Sequence, residues 1–326
     1  MTLSKLAKLA NVSVSTASKA FAGSTEVNEE TRQMIFEIAK QYGCFKKFYN
    51  AKYPKWVIAI IAPEFTSAYY VQYLSLIREY LDPEKYELCV STTGFSAERE
   101  AALIEYYDRH TNVDGIILIQ SAVPATEWSE RPVVFINPAH EQAHGVSVYG
   151  ELMPALRESV GYLTAHGVDA IGFIGESLTD SKRDLFRQAL SERGVPYDES
   201  LVSISEKRFE EGGYQAMSAL LAADRRPRAV ICAYDDMAIG AMRCMADHGL
   251  SVPRDIAVLG MDDIPQAPYL NPPLASISSN VKELCRLATE SIVQQIQGED
   301  VAPRHMIPST CFLRQSFAIG HEEETT

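Results

Sequence analysis

Seven residues near the N-terminus, Ser13 to Lys19, carry four hydroxyls (Ser13, Ser15, Thr16 and Ser18) and the amine of Lys19. Hydroxyl and ammonium groups at that density suit contacts to phosphate oxygens and to base edges in the major groove of DNA. Two carboxylate pairs, Asp235-Asp236 and Asp262-Asp263, each follow an apolar run. Acid–base or metal chemistry would use such pairs, and the structural alternative is a strand-ending turn. His140 and His144 stand four apart, but no cluster of cysteines or carboxylates joins them. The six cysteines (Cys44, Cys89, Cys232, Cys244, Cys285 and Cys311) are scattered without CxxC spacing, so reduced, mostly buried thiols are expected. No metal or other cofactor is expected. GxGxxG, P-loop, GxSxG and HExxH patterns are all missing, and what the residues offer is recognition rather than catalysis.

The hydroxyl-rich stretch needs an element to present it. Before it, Leu3, Leu6, Leu9 and Ala10 recur at helical spacing, with Ser4, Lys5 and Lys8 on the other side. Asn11-Val12 breaks the pattern, and Ser13 reads as the N-cap of a second helix, Val14 to Phe21. In that helix only Ala17, Ala20 and Phe21 can face a core. Two short helices joined by a tight turn fit a helix-turn-helix, the alternative being an ordinary helical hairpin with a polar outer face. A third helix follows, capped by Asn28, with Glu29 and Glu30 at its positive end. Met34, Ile35, Ile38 and Ala39 form its apolar stripe, and Gly43 stops it. Residues 1–60 hold nine basic and four acidic side chains, a surplus of five in a chain of net charge −13, so the remainder carries −18. A basic head on an acidic body is the asymmetry of a nucleic-acid module joined to a regulatory domain.

The stretch LSKLAKLANVSVSTASKAFAGSTEVNEETRQMIFEIAKQYG resembles the headpiece of the lactose-repressor (LacI/GalR) family of bacterial transcription regulators. VSVSTASK carries that family's recognition-helix pattern and VNEETR its third-helix start. The resemblance implies that Val14, Ser15 and Lys19 face base edges and that Ser13, Thr16 and Ser18 bind phosphate. One departure is Ala22, where the family usually has Asn before the Gly. Residues 44–55, CFKKFYNAKYPK, read as a basic, aromatic-rich connector in the place of the family's hinge helix, which wedges a leucine into the minor groove. Here Cys44, Lys46 and Lys47 stand for the expected Tyr, Pro and Asn, and Tyr53 lies near the leucine position. Lys46, Lys47 and Lys52 are therefore expected phosphate contacts rather than parts of a leucine wedge.

At 326 residues the chain is long enough for two or three domains, and 46% hydrophobic with 22% charged residues is ordinary for a globular protein. No run of about 18 apolar residues exists and the start lacks a signal peptide's apolar region, so a cytoplasmic protein with no membrane association is expected. From Trp56 the rhythm is strand then helix: WVIAIIA, YELCVST, DGIILI and PVVFIN in one half, then AIGFIG, LVSIS, AVICA and IAVLGMDD in the other, with helical patterns between. Short buried strands alternating with helices predict doubly wound parallel sheets. Two fused units make two lobes with a cleft at the strand C-terminal ends. PRAVICAYDDMAIGAMR, GLSVPRDIAVLGMDDIP and YLNPPLASI resemble the periplasmic-binding-protein-like core of the same family. The expected organisation is a three-helix headpiece at 1–43, a hinge at 44–55 and a core at 56–326. Within the core, the N-lobe takes about 56–150 and 280–300, and the C-lobe about 151–279 and 301–326.

In that family polar groups at strand ends read the effector. Carried over one at a time, Tyr69 and Tyr70 replace an aromatic that stacks on the ligand, and Lys182 stands where an arginine anchors it. Phe209, Tyr234 and Asp262 match three further cleft positions. Tyr69, Tyr70 and Phe209 could instead be core residues, Asp262 a turn cap and Lys182 a solvated helix residue. The family's Asp-Asn after the first half is here Tyr149-Gly150, and tyrosine at 234 replaces a ligand-binding asparagine. A cleft that loses amides and gains phenol rings is not expected to hold a small monosaccharide in the family's usual way; the expectation is a sugar-like or glycoside effector held more by stacking, the alternatives being a site turned to another ligand or to none. The resemblance implies an effector-controlled transcription regulator, expected to be a repressor, that binds double-stranded operator DNA as a homodimer. A free-standing solute-binding protein would share the core but not the headpiece, and an enzyme would need catalytic groups.

Overall fold

Thr2, Ser13 and Asn28 each turn a side-chain oxygen onto the backbone N–H three residues ahead, and each starts a helix: α1 (Leu3–Leu9), α2 (Val14–Phe21) and α3 (Glu29–Gln41). Asn11 makes the turn between the first two with φ 51°, a left-handed conformation that asparagine tolerates better than most residues. In this computed structural model, residues 1–49, 55–124 and 131–320 are described. They divide into two compact units, one holding the N-terminal helices and one holding the sheets.

The helical unit is larger than its sequence suggests. A fourth helix, α4 (Phe45–Tyr49), follows α3. Its Phe45 and the preceding Cys44 are buried together with Leu6, Ala20, Ile35, Phe36 and Ala39. Phe45 lies 5.0 Å from Phe36 and 5.8 Å from Phe21, and stacks on Tyr49 at 4.8 Å. The headpiece expected to end at 43 therefore extends through Tyr49, because its aromatic residues complete the core. The seam also shifts. Leu9 and Met34 are 42% and 41% exposed, while Ala7 and Phe36 take their places inside. Arg32 donates to the carbonyls of Ser24 (2.8 Å) and Val27 (3.2 Å), pinning the loop that follows α2.

The second unit continues with β1 (Trp56–Ala62), α5 (Ala68–Tyr80), β2 (Tyr86–Thr92), α6 (Ala97–Arg109), β3 (Gly115–Ile119), β4 (Val133–Ile136) and β5 (Val146–Glu151). Then come α7 (Met153–Ala165), β6 (Ile171–Glu176), α8 (Asp180–Glu192), β7 (Val202–Ser205), α9 (Phe209–Ala222), β8 (Ala229–Cys232), α10 (Asp235–Asp247) and β9 (Ala257–Met261). Last are β10 (Ala275–Ser278), α11 (Val281–Gln297), β11 (Arg304–Pro308) and β12 (Thr310–Phe312). One sheet has the order β11-β5-β4-β3-β1-β2 and the other β12-β10-β9-β8-β6-β7. Pairing from β11 through β1 and from β10 through β7 is parallel, and β12 adds an antiparallel edge to the second sheet. Continuous apolar runs such as Gly115–Ile119 and Ala257–Met261 are wholly buried, as strands covered by helices on both faces must be.

The chain crosses between lobes three times, after β5, after β10 and between β11 and β12. The third crossing corrects an expectation: residues 304–308 were placed in the C-lobe, yet β11 pairs with β5 from Arg304↔Ser147 to Pro308↔Glu151 and belongs to the N-lobe sheet. An edge strand carries too few apolar residues for its sheet to be read from sequence. The crossings are bonded to one another. Ser309 N–H donates to the Glu151 carbonyl at 3.0 Å, and the Asn280 amide donates to Pro308 O and Thr310 Oγ1 at 2.5 and 3.4 Å.

Candidate functional site

Nine strands, β1 to β9, deliver side chains at their C-terminal ends to one cavity of about 550 Å³ between the lobes, a size suited to a small ligand. From the N-lobe come Glu64 after β1, Phe95 after β2, Gln120 after β3, Asn137 after β4, and Tyr149 and Gly150 in β5. From the C-lobe come Glu176 at the end of β6, Arg208 and Phe209 after β7, Tyr234 and Asp236 after β8, and Asp262 after β9. Eight non-glycine residues among those described have positive φ, and five of them line this cavity: Phe95, Gln120, Asn137, Phe209 and Asp262. Left-handed backbone in bulky residues is costly and persists where the surrounding fold aims a side chain. Here it aims five of them at one space.

The lobes are joined across the cavity by Arg208 and Glu64. The guanidinium donates two parallel hydrogen bonds, Nη1 to Oε2 and Nη2 to Oε1, both 2.9 Å. It lies 4.8 Å from the Phe95 ring centre and 4.5 Å from that of Phe209, with Glu176 Oε1 3.6 Å from Nε. Burial opposes the charge on both partners, but their pairing outweighs it: the Glu64 carboxyl sits below its ordinary range and the Arg208 guanidinium above its own. On the C-lobe floor, Lys182 Nζ donates to Asp262 Oδ1 at 3.1 Å and to the Ala233 carbonyl at 2.7 Å. Burial raises Asp262, with Lys182 pulling against it.

Aromatic groups are held as firmly. Tyr234 Oη accepts from Phe209 N–H at 3.0 Å, and burial first, with Glu176 adding to it, pushes the phenol up to about 12. Tyr70 Oη donates to Gln120 Oε1, and the Tyr69 hydroxyl is 2.7 Å from that of Tyr73. Helices α9 and α10 approach so closely that a Cβ at Gly240 would lie 2.0 Å from the Glu210 carbonyl oxygen. Glycine there permits the contact that sets Phe209 beside Tyr234. The adjacent carboxylates of α10 have separate tasks. Asp235 is fully buried and accepts from Ser276 Oγ (2.6 Å) and Ile264 N–H (2.8 Å), fixing the turn after β9. Asp236 faces the cavity.

On the headpiece, Val14 is 46% exposed, Ser15 and Ser18 are exposed, and Ala17 and Ala20 are buried. Ser13 Oγ accepts from Thr16 N–H at 2.9 Å and lies 2.8 Å from the Thr16 hydroxyl, so both hydroxyls sit at the positive end of α2. Lys19 Nζ pairs with Glu26 at 2.5 Å on the surface. Exposed pairs of this kind are worth about 0.2–1 kcal/mol and yield readily to a phosphate. Lys47 on α4 is exposed and donates to the Met1 carbonyl at 3.0 Å. Lys52 and the side chain of Lys46 lie outside the described residues.

Two family models match this chain. Residues 2–44 match "Bacterial regulatory proteins, lacI family", and residues 160–317 match "Periplasmic binding protein-like domain". The chain belongs to the lacI family. The ribose operon repressor of Haemophilus influenzae is 26% identical over 97% of this chain and 98% of its own length. Among solved structures, the transcriptional regulator CelR–cellobiose complex superposes with a TM-score of 0.68 at 24% identity, covering 97% of this chain and 99% of that one. A LacI family regulator from Enterococcus faecium with bound ribose superposes at 0.69 and 21% identity, covering 80% and 98%. This lacI-family chain is a DNA-binding transcription regulator, not an enzyme. Among the described residues no helix is long and apolar enough to cross a membrane, and no cluster of His, Cys, Asp and Glu is placed to hold a metal ion.

Tyr69, Tyr70, Lys182, Phe209, Tyr234 and Asp262 all line the one cavity. Lys182 is neither solvated nor free, being committed to Asp262 and a carbonyl. Glu64, Phe95, Gln120, Glu176 and Arg208 also line the cavity without being singled out by the sequence, and so does Asp236, which stands out there only as half of a carboxylate pair. One signal would have found five of them: a polar or aromatic residue within four positions of each strand's last apolar residue. Glu64, Gln120, Glu176, Arg208 and Asp236 all obey it. The pair Asp235-Asp236 is divided by the structure: Asp235 fixes the turn after β9, as the strand-ending-turn alternative has it, and Asp236 faces the cavity.

Proposed function

We propose that this protein is a cytoplasmic homodimeric repressor whose headpieces read a near-palindromic operator and whose cleft binds a small sugar-like effector. The observation that carries the reading is the pairing of a lacI-type headpiece, with Val14, Ser15 and Ser18 turned outward, with a two-lobed core enclosing a ligand-sized cavity. In it, α2 enters the major groove. Val14 meets a thymine methyl, Ser15 and Lys19 take base edges, and Ser13, Thr16, Ser18 and the lysines of the α4 region take phosphates. One headpiece covers too few base pairs for genomic selectivity, which supports a dimer on two half-sites. The likeness to a ribose operon repressor supports a sugar. So do the walls: Tyr69, Tyr70, Phe209 and Tyr234 offer ring faces, and Lys182 and Asp262 lie at the floor. Ligand in the cleft shifts the balance of lobe closure and thereby operator affinity.

Footprinting and fluorescence anisotropy on DNA flanking the protein's own gene test this. A protected near-palindrome is expected, with affinity falling by about 10³–10⁵ between 50 and 200 mM salt. Ser15→Ala and Lys19→Ala each weaken operator binding by about 1–3 kcal/mol. A protein with no salt-sensitive, sequence-selective site on that DNA is not this regulator.

A further inference from the structure

The charges lining the cleft do not balance. Four carboxylates face it, Glu64, Glu176, Asp236 and Asp262, against two cations, Lys182 and Arg208. Both cations are committed: Lys182 to Asp262, Arg208 to Glu64 with Glu176 beside it. Asp236 has no hydrogen-bond or ion-pair partner among the described residues. Its place in the first turn of α10 explains why a carboxylate is tolerated there. It does not explain a carboxylate turned toward an aromatic cavity that already holds three others. The same walls accept positive charge, since the Arg208 guanidinium rests between the rings of Phe95 and Phe209.

We propose that the effector of this cleft carries a protonated amine beside its hydroxyls, and that Asp236 is the specificity-determining carboxylate that pairs with it. This rests on the reading of the cleft as an effector site. A hydroxyl could donate to Asp236 but would leave the excess charge in place. An anionic ligand would add to it, and the two cations among the described lining residues are already used. An ammonium group neutralises the excess and gains the facing rings. The Asp236 carboxyl is itself raised to about 6, by burial first and then by Glu210, Asp262 and Glu64. A cation beside it offsets the repulsion from those three carboxylates and favours the charged form that burial disfavours.

The full-length protein, titrated by calorimetry at pH 7.5, provides the test. The probes are matched sets on one hexose frame: glucosamine and galactosamine, their N-acetyl forms, the parent hexoses, and the corresponding 6-phosphates and uronates. Amine forms are expected to bind at least about tenfold more tightly than N-acetyl or hydroxyl forms, with the anions weakest. Asp236→Asn should remove that preference, whereas Asp236→Glu should keep part of it. Melting curves of both variants establish that they fold. Preferential binding of a neutral or anionic member, with affinity unchanged in Asp236→Asn, overturns the amine assignment and leaves the effector site standing. A set with no binder of any class overturns both.

Discussion

Removing the Arg208 side chain should open the ligand-free core, and the size of the effect follows from the geometry. The Arg208 and Glu64 side chains are 30% and 13% exposed, between a surface pair, worth about 0–1 kcal/mol, and a buried one, whose disruption costs about 3–5 kcal/mol. Two parallel 2.9 Å bonds place it above the surface range, and the rings of Phe95 and Phe209 add to it. About 2 kcal/mol is a fair value for Arg208→Met. Each 1.4 kcal/mol is tenfold, so the closed-to-open ratio should fall by about thirtyfold. Electron–electron distance measurements between non-cysteine spin labels at the exposed Glu105 and Ser191, one on each lobe, read this directly. The variant should show a longer, broader distribution than the parent protein. Arg208→Lys should fall between them, since a point charge cannot reproduce the fork. Glu64→Gln should act in the same direction, and the double variant should be less than additive. Identical distance distributions in parent and Arg208→Met would refute the reasoning. A coupling energy below about 0.3 kcal/mol in the double-mutant cycle would do the same.

Stability should depend on pH through Asp236. Its carboxyl is raised from the ordinary 3.8 to about 6, so between those values the folded chain holds a proton that the unfolded chain has lost. That group therefore favours folding at low pH and opposes it increasingly as pH rises from about 4 to 6. Carboxylates held low by partners, such as Glu64 and Asp255, act in the opposite sense. Only the difference between Asp236→Asn and the parent isolates the effect: the variant's advantage in urea midpoint should be larger at pH 7.5 than at pH 4, and an equal or smaller advantage contradicts it. Gly240→Ala should cost about 2–3 kcal/mol, because its Cβ meets a backbone oxygen at 2.0 Å that cannot rotate away. Its melting temperature, read by calorimetry, should fall by roughly 5–10 °C, and a change within 1 °C would mean α9 and α10 separate freely.

The apolar periods of this chain made most of the fold legible, and the reasons for the failures are physical. Buried parallel strands such as WVIAIIA and AVICA are unbroken apolar runs, and they stand out. The edge strand β11, RHMIP, buries only Ile307, and nothing in its composition says which sheet it joins. The fourth headpiece helix was hidden for a different reason. Phe45, Phe48 and Tyr49 lie among lysines, a mixture that reads as a connector until their contacts with Phe21 and Phe36 are seen. Periodicity marks which face is apolar but not how wide it is, so Leu9 and Met34 were placed inward in error.

The cleft illustrates a sharper limit. A strand end announces itself in sequence, so that polar residues beyond it are candidates for a site, and the six carried over by resemblance do meet there. What sequence does not carry is which of them are already spent on one another. Lys182, expected as an anchor for the ligand, is tied to Asp262 and a backbone carbonyl; Arg208, which the sequence does not single out, bridges the lobes through Glu64. Pairs spanning 80 and 144 residues of chain remove both cations from what a ligand can use, and Asp236, the second half of an apparently structural pair, is left facing the space. The cleft's selectivity is therefore set by the charges that remain after its internal pairs are made, not by the inventory of charged residues around it.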